Sequence, residues 1–198
     1  MKHNDLYDFE QFVPYTYPIP IRHIFISPGH NYFGRPKDGP GDHTTIDLAE
    51  VEAVAGQGLA GDRYFGVAAH YDAQVTFVSW EVFQALLAEY GRDDWSPILM
   101  RRNIVIEGVA LNQLIGQPFT LDFGDHQVEL LGAKHCAPCA WMDAMLAPGA
   151  QKFLRGRGGL RARIITSGSI RHGTALLRSQ VRLEEAEILA PLTRPRLP

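Results

Sequence analysis

The chain has 198 residues, of which 45% are hydrophobic, and its 19 Lys and Arg nearly balance its 22 Asp and Glu. This composition excludes a disordered chain, a collagen, a coiled coil and a disulfide-dense secreted scaffold. No run of about 18 apolar residues predicts a membrane span, and no apolar run near the N-terminus predicts a signal peptide. We therefore expect one domain in the reducing cytoplasm, where a lone pair of cysteines favours a chemical role.

The first half of the chain alternates extended segments with Pro- and Gly-rich loops. Strands are predicted over 19–26, 44–54 and 74–78. A loop over 28–41 separates the first two strands, and residues 56–61 predict a turn. Ser79 predicts the N-cap of a helix, because apolar residues follow it at helical spacing until Gly91, a residue type that ends helices.

The second half predicts more strands and shorter helices. Its strands are predicted over 103–107, 119–123, 127–131, 161–166 and 174–188, with the end of the last one helical as an alternative, and short helical turns over 111–115 and 140–146. Gly124 and Asp125 predict a hairpin turn. Together the elements predict a mainly β fold of α+β type, a β-barrel with a few peripheral short helices. This domain is expected over 20–190, between an N-terminal arm (1–19) and a C-terminal tail (191–198).

Charge is distributed unevenly along the chain. Residues 1–100 carry 6 basic and 14 acidic side chains, whereas residues 101–198 carry 13 basic side chains, 11 of them Arg, and 8 acidic ones. The planar fork of Arg matches two oxygens of a phosphate or carboxylate at once. The second half therefore predicts an anion site, with a solvated surface of mixed sign as the alternative.

The strongest chemical motif is a Cys-x-x-Cys formed by Cys136 and Cys139. A thiolate is a strong nucleophile and a soft metal ligand, and the neighbouring Lys134 and His135 favour that form. Three other interpretations stay open: half of a zinc site completed by His, a redox pair outside a thioredoxin-like βαβ unit, or two buried and inert cysteines.

A second motif places four Arg and three Gly in residues 155–163. Gly allows successive backbone N–H groups to point at one anion, and Arg supplies charge. Arg161 and Arg163 are expected on one face of a strand because side chains alternate there. The segment lacks the Gly-Lys-Ser/Thr of a nucleotide-binding loop, and this single short copy leads us to expect no nucleic-acid partner.

Weaker candidates lie in three other segments. Arg101, Arg102 and Asn103 enter a buried strand together, and they either tie its end to nearby loops or donate to an anion or a heterocycle edge. Asp62 is placed to orient Arg63 through a charge-assisted hydrogen bond.

The loop over 28–41 and the residues just after it contain His30 and His43. Histidine is both a metal ligand and an acid or base near neutral pH, so this loop is a candidate roof for a substrate pocket. A surface loop with solvated histidines is the alternative.

Taken in order, these segments resemble the MOSC domain family, which is related to the C-terminal part of molybdenum cofactor sulfurases. The matching segments are 58–65, 74–76, 101–105, Gly116, 136–139 and 155–165, ending near Gly173. They cover more than half of the chain. Each motif is common by itself, and the shared order makes the resemblance specific.

The resemblance implies a β-barrel that binds the molybdenum cofactor (molybdopterin) or carries sulfur for it. It implies that Cys139 is the catalytic residue and the metal ligand, as in the amidoxime-reducing relatives. The implied cofactor-binding residues are Arg63, Arg101, Arg102, Asn103, Arg157 and Arg161. Weaker site candidates are Cys136, His135, His30 and Asp62.

Three functions follow as alternatives. The first is a molybdenum-dependent reductase of N-hydroxylated small molecules, supplied by an electron-donor protein. The second is a sulfur carrier that receives a persulfide on Cys139 from a cysteine desulfurase. The third is a non-enzymatic zinc- or cofactor-binding module. The chain is too short for the additional domain of the reductases or the pyridoxal-phosphate domain of the sulfurases, so no intrinsic pyridoxal-phosphate site is expected.

Overall fold

Residues 14–193 are the part of the chain that the computed structural model describes, and they form eleven strands and three α-helices. The strands are β1 (Tyr15–Ile26), β2 (Ile46–Asp47), β3 (Glu50–Val54), β4 (Gly58–Leu59), β5 (Val75–Ser79), β6 (Ile104–Ile106), β7 (Pro118–Asp122), β8 (Gln127–His135), β9 (Leu160–Ile164), β10 (Gly168–Arg171) and β11 (Gly173–Ser179). The α-helices are α1 (Trp80–Tyr90), α2 (Trp141–Met145) and α3 (Ala150–Phe153). Short 3-10 helices lie at Pro36–Asp38, Ala68–Ala73, Pro97–Met100, Leu111–Leu114 and Glu185–Glu187.

Seven strands close into a barrel, which confirms the predicted fold class. Their order is β1, β11, β7, β8, β9, β5 and β6, and β6 pairs with β1 again. Barrel neighbours are antiparallel except β5 and β6, which are parallel and are connected by α1, because a parallel pair needs a crossover. The strands β3, β4 and β10 form a separate sheet.

Apolar side chains from alternate positions of the barrel strands fill the interior. The fully buried ones include Ile19, Phe77, Leu121, Leu130 and Leu160. A second apolar cluster packs α1 against β5 and β6, and it includes Val78, Phe83, Leu86 and Val105. Each such side chain contributes about 1.5–3 kcal/mol through burial, so both faces of β5 and β6 are held firmly where they approach the site.

Two local predictions are confirmed by the hydrogen bonds that cap and connect the elements. The Val82 N–H donates to Ser79 Oγ at 3.3 Å, and Gly91 ends α1 in the left-handed conformation with φ 58°. The strands β7 and β8 form the predicted hairpin, with Gly124 at φ 89° in its turn. These features follow from residues close together in the chain.

Several boundaries differ from the predictions because they depend on distant partners. β1 begins at Tyr15, so residues 15–18 belong to the barrel, where Tyr15 pairs with Ser179 of β11. The predicted strand over 44–54 divides into β2 and β3, which join different sheets. The predicted strand over 174–188 ends at Ser179, and Glu185–Glu187 is helical.

Sequence reasoning missed β4, β10 and α3, none of which exceeds four residues. The remainder of the predicted arm, residues 1–13, and the end of the predicted tail, residues 194–198, lie outside the described residues. Within residues 14–193, no helix has the length and apolar content that crossing a membrane requires.

Candidate functional site

A cleft of about 140 Å³ lies at the end of the barrel where β5, β6 and β9 meet the loops that follow β1 and β4. Four predicted Arg line it: Arg63, Arg101, Arg102 and Arg161. Other lining residues include Tyr32, Tyr64, His70, Thr76, Asn103 and Cys136, and no carboxylate from the described chain lines it. A cleft with this lining attracts anions.

Arg101 connects this cleft to the thiol of Cys139. Its Nη1 donates a hydrogen bond to Cys139 Sγ at 3.1 Å, and its guanidinium lies 3.9 Å from the centre of the Tyr32 ring. Cys139 is exposed, and neither it nor Cys136 is in a disulfide. A cationic donor at this distance suits an anionic sulfur, so Arg101 couples the Cys139 thiol to the cleft.

Arg102 holds the Cys-x-x-Cys loop in place. Its guanidinium donates to the carbonyl oxygens of Gly158 at 2.7 Å, Arg101 at 3.1 Å and Cys136 at 3.3 Å. Desolvation by burial lowers its pKa from the usual high value of guanidinium. Arg102 therefore shapes the cleft mainly by fixing backbone, because its donors are already engaged by the protein.

Asn103 and Asp62 also make extensive bonds within the protein. Asn103 Oδ1 accepts hydrogen bonds from the Thr76 N–H at 3.1 Å and the Thr76 hydroxyl at 2.8 Å, and its Nδ2 donates to the Phe25 carbonyl at 3.1 Å. Asp62 is buried and accepts from the Tyr64 N–H at 3.1 Å. Asn103 thus joins β5 and β1 to the start of β6. This agrees with the first of its two predicted roles, in which it ties the end of the strand to nearby segments.

Two Arg side chains in the cleft have unmet donors. Over residues 14–193, three buried side-chain nitrogen or oxygen atoms have no hydrogen-bond partner, and two of them are the Nε of Arg63 and the Nε of Arg101. Arg63 also lies 3.8 Å from Asp62 (Nη1 to Oδ2), an ion pair longer than the predicted hydrogen bond. Unmet buried donors are costly, so they favour an anionic ligand with acceptor oxygens.

Two histidines meet around the ring of Tyr64. His70 stacks on it with ring centres 3.8 Å apart, and His30 contacts it edge-on with centres 5.8 Å apart. Burial and then the charges of Arg161 and Arg63 lower the pKa of His70, while Asp62 opposes this shift. Burial, Arg63 and Arg101 likewise lower the pKa of His30. Both imidazoles are therefore neutral near pH 7.

Cys136 and His135 take different positions. Cys136 is buried and lines the Arg-rich cleft, whereas His135 lines a second cavity with Ala137 and Pro138. His135 Nε2 accepts a hydrogen bond from the Gly158 N–H at 3.2 Å, and burial followed by nearby Arg charges lowers its pKa. Within the described residues no three His, Cys, Asp or Glu side chains converge as metal ligands, so the zinc alternative lacks a ligand set there.

The structure does not bring Arg157 to the cleft. Its guanidinium donates to the carbonyl oxygens of Leu189 at 2.8 Å and Phe153 at 3.1 Å, and this fastens the C-terminal segment. The neighbouring glycines make contacts within the protein. Gly158 gives its N–H to His135, and a Cβ on Gly159 would collide with the backbone of β5. The Gly158 N–H is therefore engaged within the protein, and the anion-binding role of this glycine segment stays a prediction.

His43 braces its loop instead of lining the cleft. Its N–H donates to Asn31 Oδ1 at 2.9 Å. Sequence reasoning missed several residues of the cleft, among them Tyr32, Tyr64 and His70. Tyr64 lies in the family-like segment 58–65 and Tyr32 in the loop over 28–41, but aromatic residues in loops carry no distinctive pattern. His70 had no sequence signal at all.

Comparisons with known proteins agree on the fold. The model of the MOSC domain family matches residues 51–176. No curated protein sequence matches the chain. The crystal structure of the YuaD protein from Bacillus subtilis is similar, with a TM-score of 0.67 and 16% identity over 85% of this chain and 99% of that one. YiiM from Geobacillus stearothermophilus (TM-score 0.59, 16% identity, 86% and 82%) and YiiM from Escherichia coli (0.53, 16%, 86% and 77%) are similar too.

Proposed function

The chain belongs to the MOSC domain family, some of whose members bind the molybdenum cofactor, and we propose that it binds this cofactor in the Arg-lined cleft with Cys139 as the thiolate ligand of molybdenum. One observation carries the proposal. An exposed free thiol lies 3.1 Å from the guanidinium of Arg101, which itself lines a cleft containing three further Arg. Soft thiolate suits molybdenum, and Arg suits the cofactor's phosphate.

The residues of the cleft divide into two groups in this proposal. Arg63, Arg101 and Arg161 are the direct ligands of the cofactor's anionic and acceptor atoms, because two of them have unmet buried donors. Arg102 and Asn103 act indirectly, since their polar groups hold the Cys-x-x-Cys loop and the strand ends. Tyr32 keeps the Arg101 guanidinium in place through its ring face.

The reaction that suits this arrangement is the reduction of an N-hydroxylated small molecule. When bound, the cofactor supplies two-electron oxygen-atom transfer chemistry. Cys139 supplies its protein ligand, and Arg101 holds the sulfur. The electrons come from a donor protein in this proposal. The free thiols of Cys136 and Cys139 suit a reducing, cytoplasmic location.

The test is metal and pterin content after anaerobic purification from a host that makes the cofactor. We expect molybdenum and pterin in equal, near-stoichiometric amounts, and loss of molybdenum in Cys139→Ser. Cys136→Ser is the matched control and retains molybdenum, because Cys136 is buried and its contacts to Arg102 use its backbone. A Cys139→Ser protein that kept both molybdenum and full reductase activity would overturn the proposal.

The exposure of Cys139 also favours a second function, a sulfur carrier. A thiol must be reachable to accept sulfur from a cysteine desulfurase, and Cys139 meets this requirement while Cys136 does not. Arg101 then stabilises the anionic persulfide. Mass spectrometry after incubation with a desulfurase and cysteine tests this function. Addition of one sulfur atom to Cys139 supports it, and an unmodified Cys139 contradicts it.

A further inference from the structure

The ring of Tyr64 is surrounded by Arg63, His70 and His30. The chemistry proposed at Cys139 uses neither histidine. The Arg63 guanidinium lies 4.6 Å from the ring centre, His70 stacks at 3.8 Å, and His30 contacts it edge-on at 5.8 Å. We call these four residues the Tyr64 cluster. Arg63, Tyr64 and His70 line the cleft directly.

The charges that face the cluster are almost all positive. Arg161 from β9 and Arg63 from the loop after β4 act on His70, and Arg63 and Arg101 act on His30. The opposing charge is Asp62, whose oxygens already accept backbone N–H groups of Tyr64 and Ser27. The cluster therefore places two neutral imidazoles beside Arg63, whose buried Nε has no hydrogen-bond partner among the described residues.

We propose that the Tyr64 cluster binds a doubly charged tetrahedral oxyanion and that His70 takes up a proton when the anion binds. The anion lies between Arg63 and Arg161, offsets the Arg charges that add to burial in keeping His70 neutral, and accepts a hydrogen bond from the new imidazolium. His30 takes part at longer range. The inference deepens the proposed function, since the cofactor's phosphate is one such anion and a free oxyanion is the other source.

Linkage gives the sign of the pH dependence. In the free cleft the pKa of His70 is lowered by burial, Arg161 and Arg63, so the ring is neutral at pH 7. A bound anion raises that pKa, so the complex holds more protons than its components. Affinity for the anion therefore increases as the pH falls, by up to about tenfold per pH unit when one proton is taken up.

Sulfate is the appropriate probe, because it stays a dianion across the whole range from pH 5.5 to 8 and any proton uptake belongs to the protein. We would titrate sulfate into the full chain by calorimetry in two buffers of different ionisation enthalpy. Tighter binding at lower pH and a buffer-dependent heat support the proposal. Binding that is independent of pH and buffer, or no sulfate binding at all, overturns it.

Variants assign the proton to its residue. His70→Gln keeps a polar side chain but cannot be protonated, so the pH dependence of sulfate affinity falls sharply, and the double variant with His30→Gln removes the rest. His126→Gln is the control, since His126 pairs with Asp125 in the hairpin turn away from the cleft. A pH dependence that survives in the double variant of His30 and His70 overturns the assignment.

A second arm separates the two sources of the anion. Protein from a host that lacks the cofactor is compared with cofactor-loaded protein. If sulfate binds only the former, the cofactor's phosphate occupies the cluster; if it binds both, the cluster takes a free oxyanion. A protein that never acquires molybdenum but still binds sulfate with proton uptake rejects the proposed function and retains this inference.

Discussion

Arg101 combines a strained backbone with two contacts that matter for the site. Its φ is 59°, and it is the only residue besides glycine with a positive φ over residues 14–193. Its side chain meets both Tyr32 and Cys139. A left-handed residue of this kind costs about 1 kcal/mol or more, and such residues cluster at functional sites. Here it also ends the 3-10 helix Pro97–Met100.

This strain predicts an order of stability between two variants. Arg101→Gly and Arg101→Ala remove the same contacts, but only Gly adopts a positive φ freely. We expect Arg101→Gly to be more stable than Arg101→Ala by about 1 kcal/mol, measured by urea unfolding. The same pair at Arg182, which has no positive φ, serves as the control. Equal stabilities at position 101 would remove the argument for strain.

The hydrogen bond from Arg101 predicts the reactivity of Cys139. Arg101→Met keeps much of the apolar stem and removes the donor at 3.1 Å from Sγ. We expect alkylation of Cys139 by iodoacetamide at pH 7 to slow by about tenfold, the effect of losing a hydrogen bond from a charged group. Arg182→Met, far from the thiol in sequence and paired with Glu184, should leave the rate unchanged. A faster reaction in Arg101→Met would show that Arg101 only shields the sulfur.

At the scale of elements, close packing of the segment before β9 explains why glycines stand at positions 158 and 159. Gly159 has φ 101°, and a Cβ there would collide with the carbonyl oxygen of Phe77 in β5. Gly158 likewise has no room beside the carbonyl oxygen of Cys136. These glycines let the segment approach β5 and the Cys-x-x-Cys loop, and that approach brings Arg161 into the cleft.

A matched pair of glycine substitutions tests this packing. Gly159→Ala meets both an unfavourable φ and the backbone of Phe77, whereas Gly173→Ala meets a similar φ of 110° in open space. We expect Gly173→Ala to cost about 1 kcal/mol and Gly159→Ala at least about 2 kcal/mol more. Urea unfolding measures both free energies. Equal costs would mean that β5 moves away without penalty.

At the scale of the whole molecule, the basic side chains are concentrated in the second half of the chain, but only some of them line the cleft. The Arg-rich second half supplies Arg101, Arg102 and Arg161 to the cleft, and the acidic first half supplies Arg63. Other Arg of the second half pair with acids elsewhere: the Arg163 Nε donates to Asp72 at 2.8 Å, and Arg171 pairs with Asp125 at 2.7 Å. Only part of the basic surplus therefore lines the cleft.

The lowered histidine pKa values predict how global stability depends on pH. His30, His70 and His135 have pKa values below 6.5 in the folded protein because burial and Arg charges disfavour their protonation. The unfolded chain therefore binds more protons, and the free energy of unfolding falls as the pH drops through about 6.5. Urea unfolding of the anion-free protein between pH 8 and pH 5.5 measures it.

The double variant His30→Gln and His70→Gln should show a shallower decline, and sulfate should restore stability to the wild-type chain at low pH. Stability that rises as the pH falls over the same range would contradict the sign derived from these three histidines.

Local patterns in the sequence predict much of the fold. The helix between Ser79 and Gly91 and the hairpin at Gly124 depend on neighbours a few residues apart, and both were predicted. The short strands β4 and β10 were not, because two to four residues hold too little periodicity. Barrel closure depends on β1 pairing with β11 across the whole chain.

For the site, the sequence by itself determined which residue types are present: two cysteines in a Cys-x-x-Cys, an excess of Arg in the second half and the ordered motifs of a family. The tertiary structure alone decided their roles. Arg101 and Cys139 lie 38 positions apart, and they meet because β6 and the loop after β8 share one end of the barrel. Arg157 donates to the carbonyl oxygens of Leu189 and Phe153 outside the cleft, and His70 reaches the cleft from a short 3-10 helix. Such outcomes depend on strand order and packing, in which residues far apart in the chain become neighbours, and no local pattern encodes that.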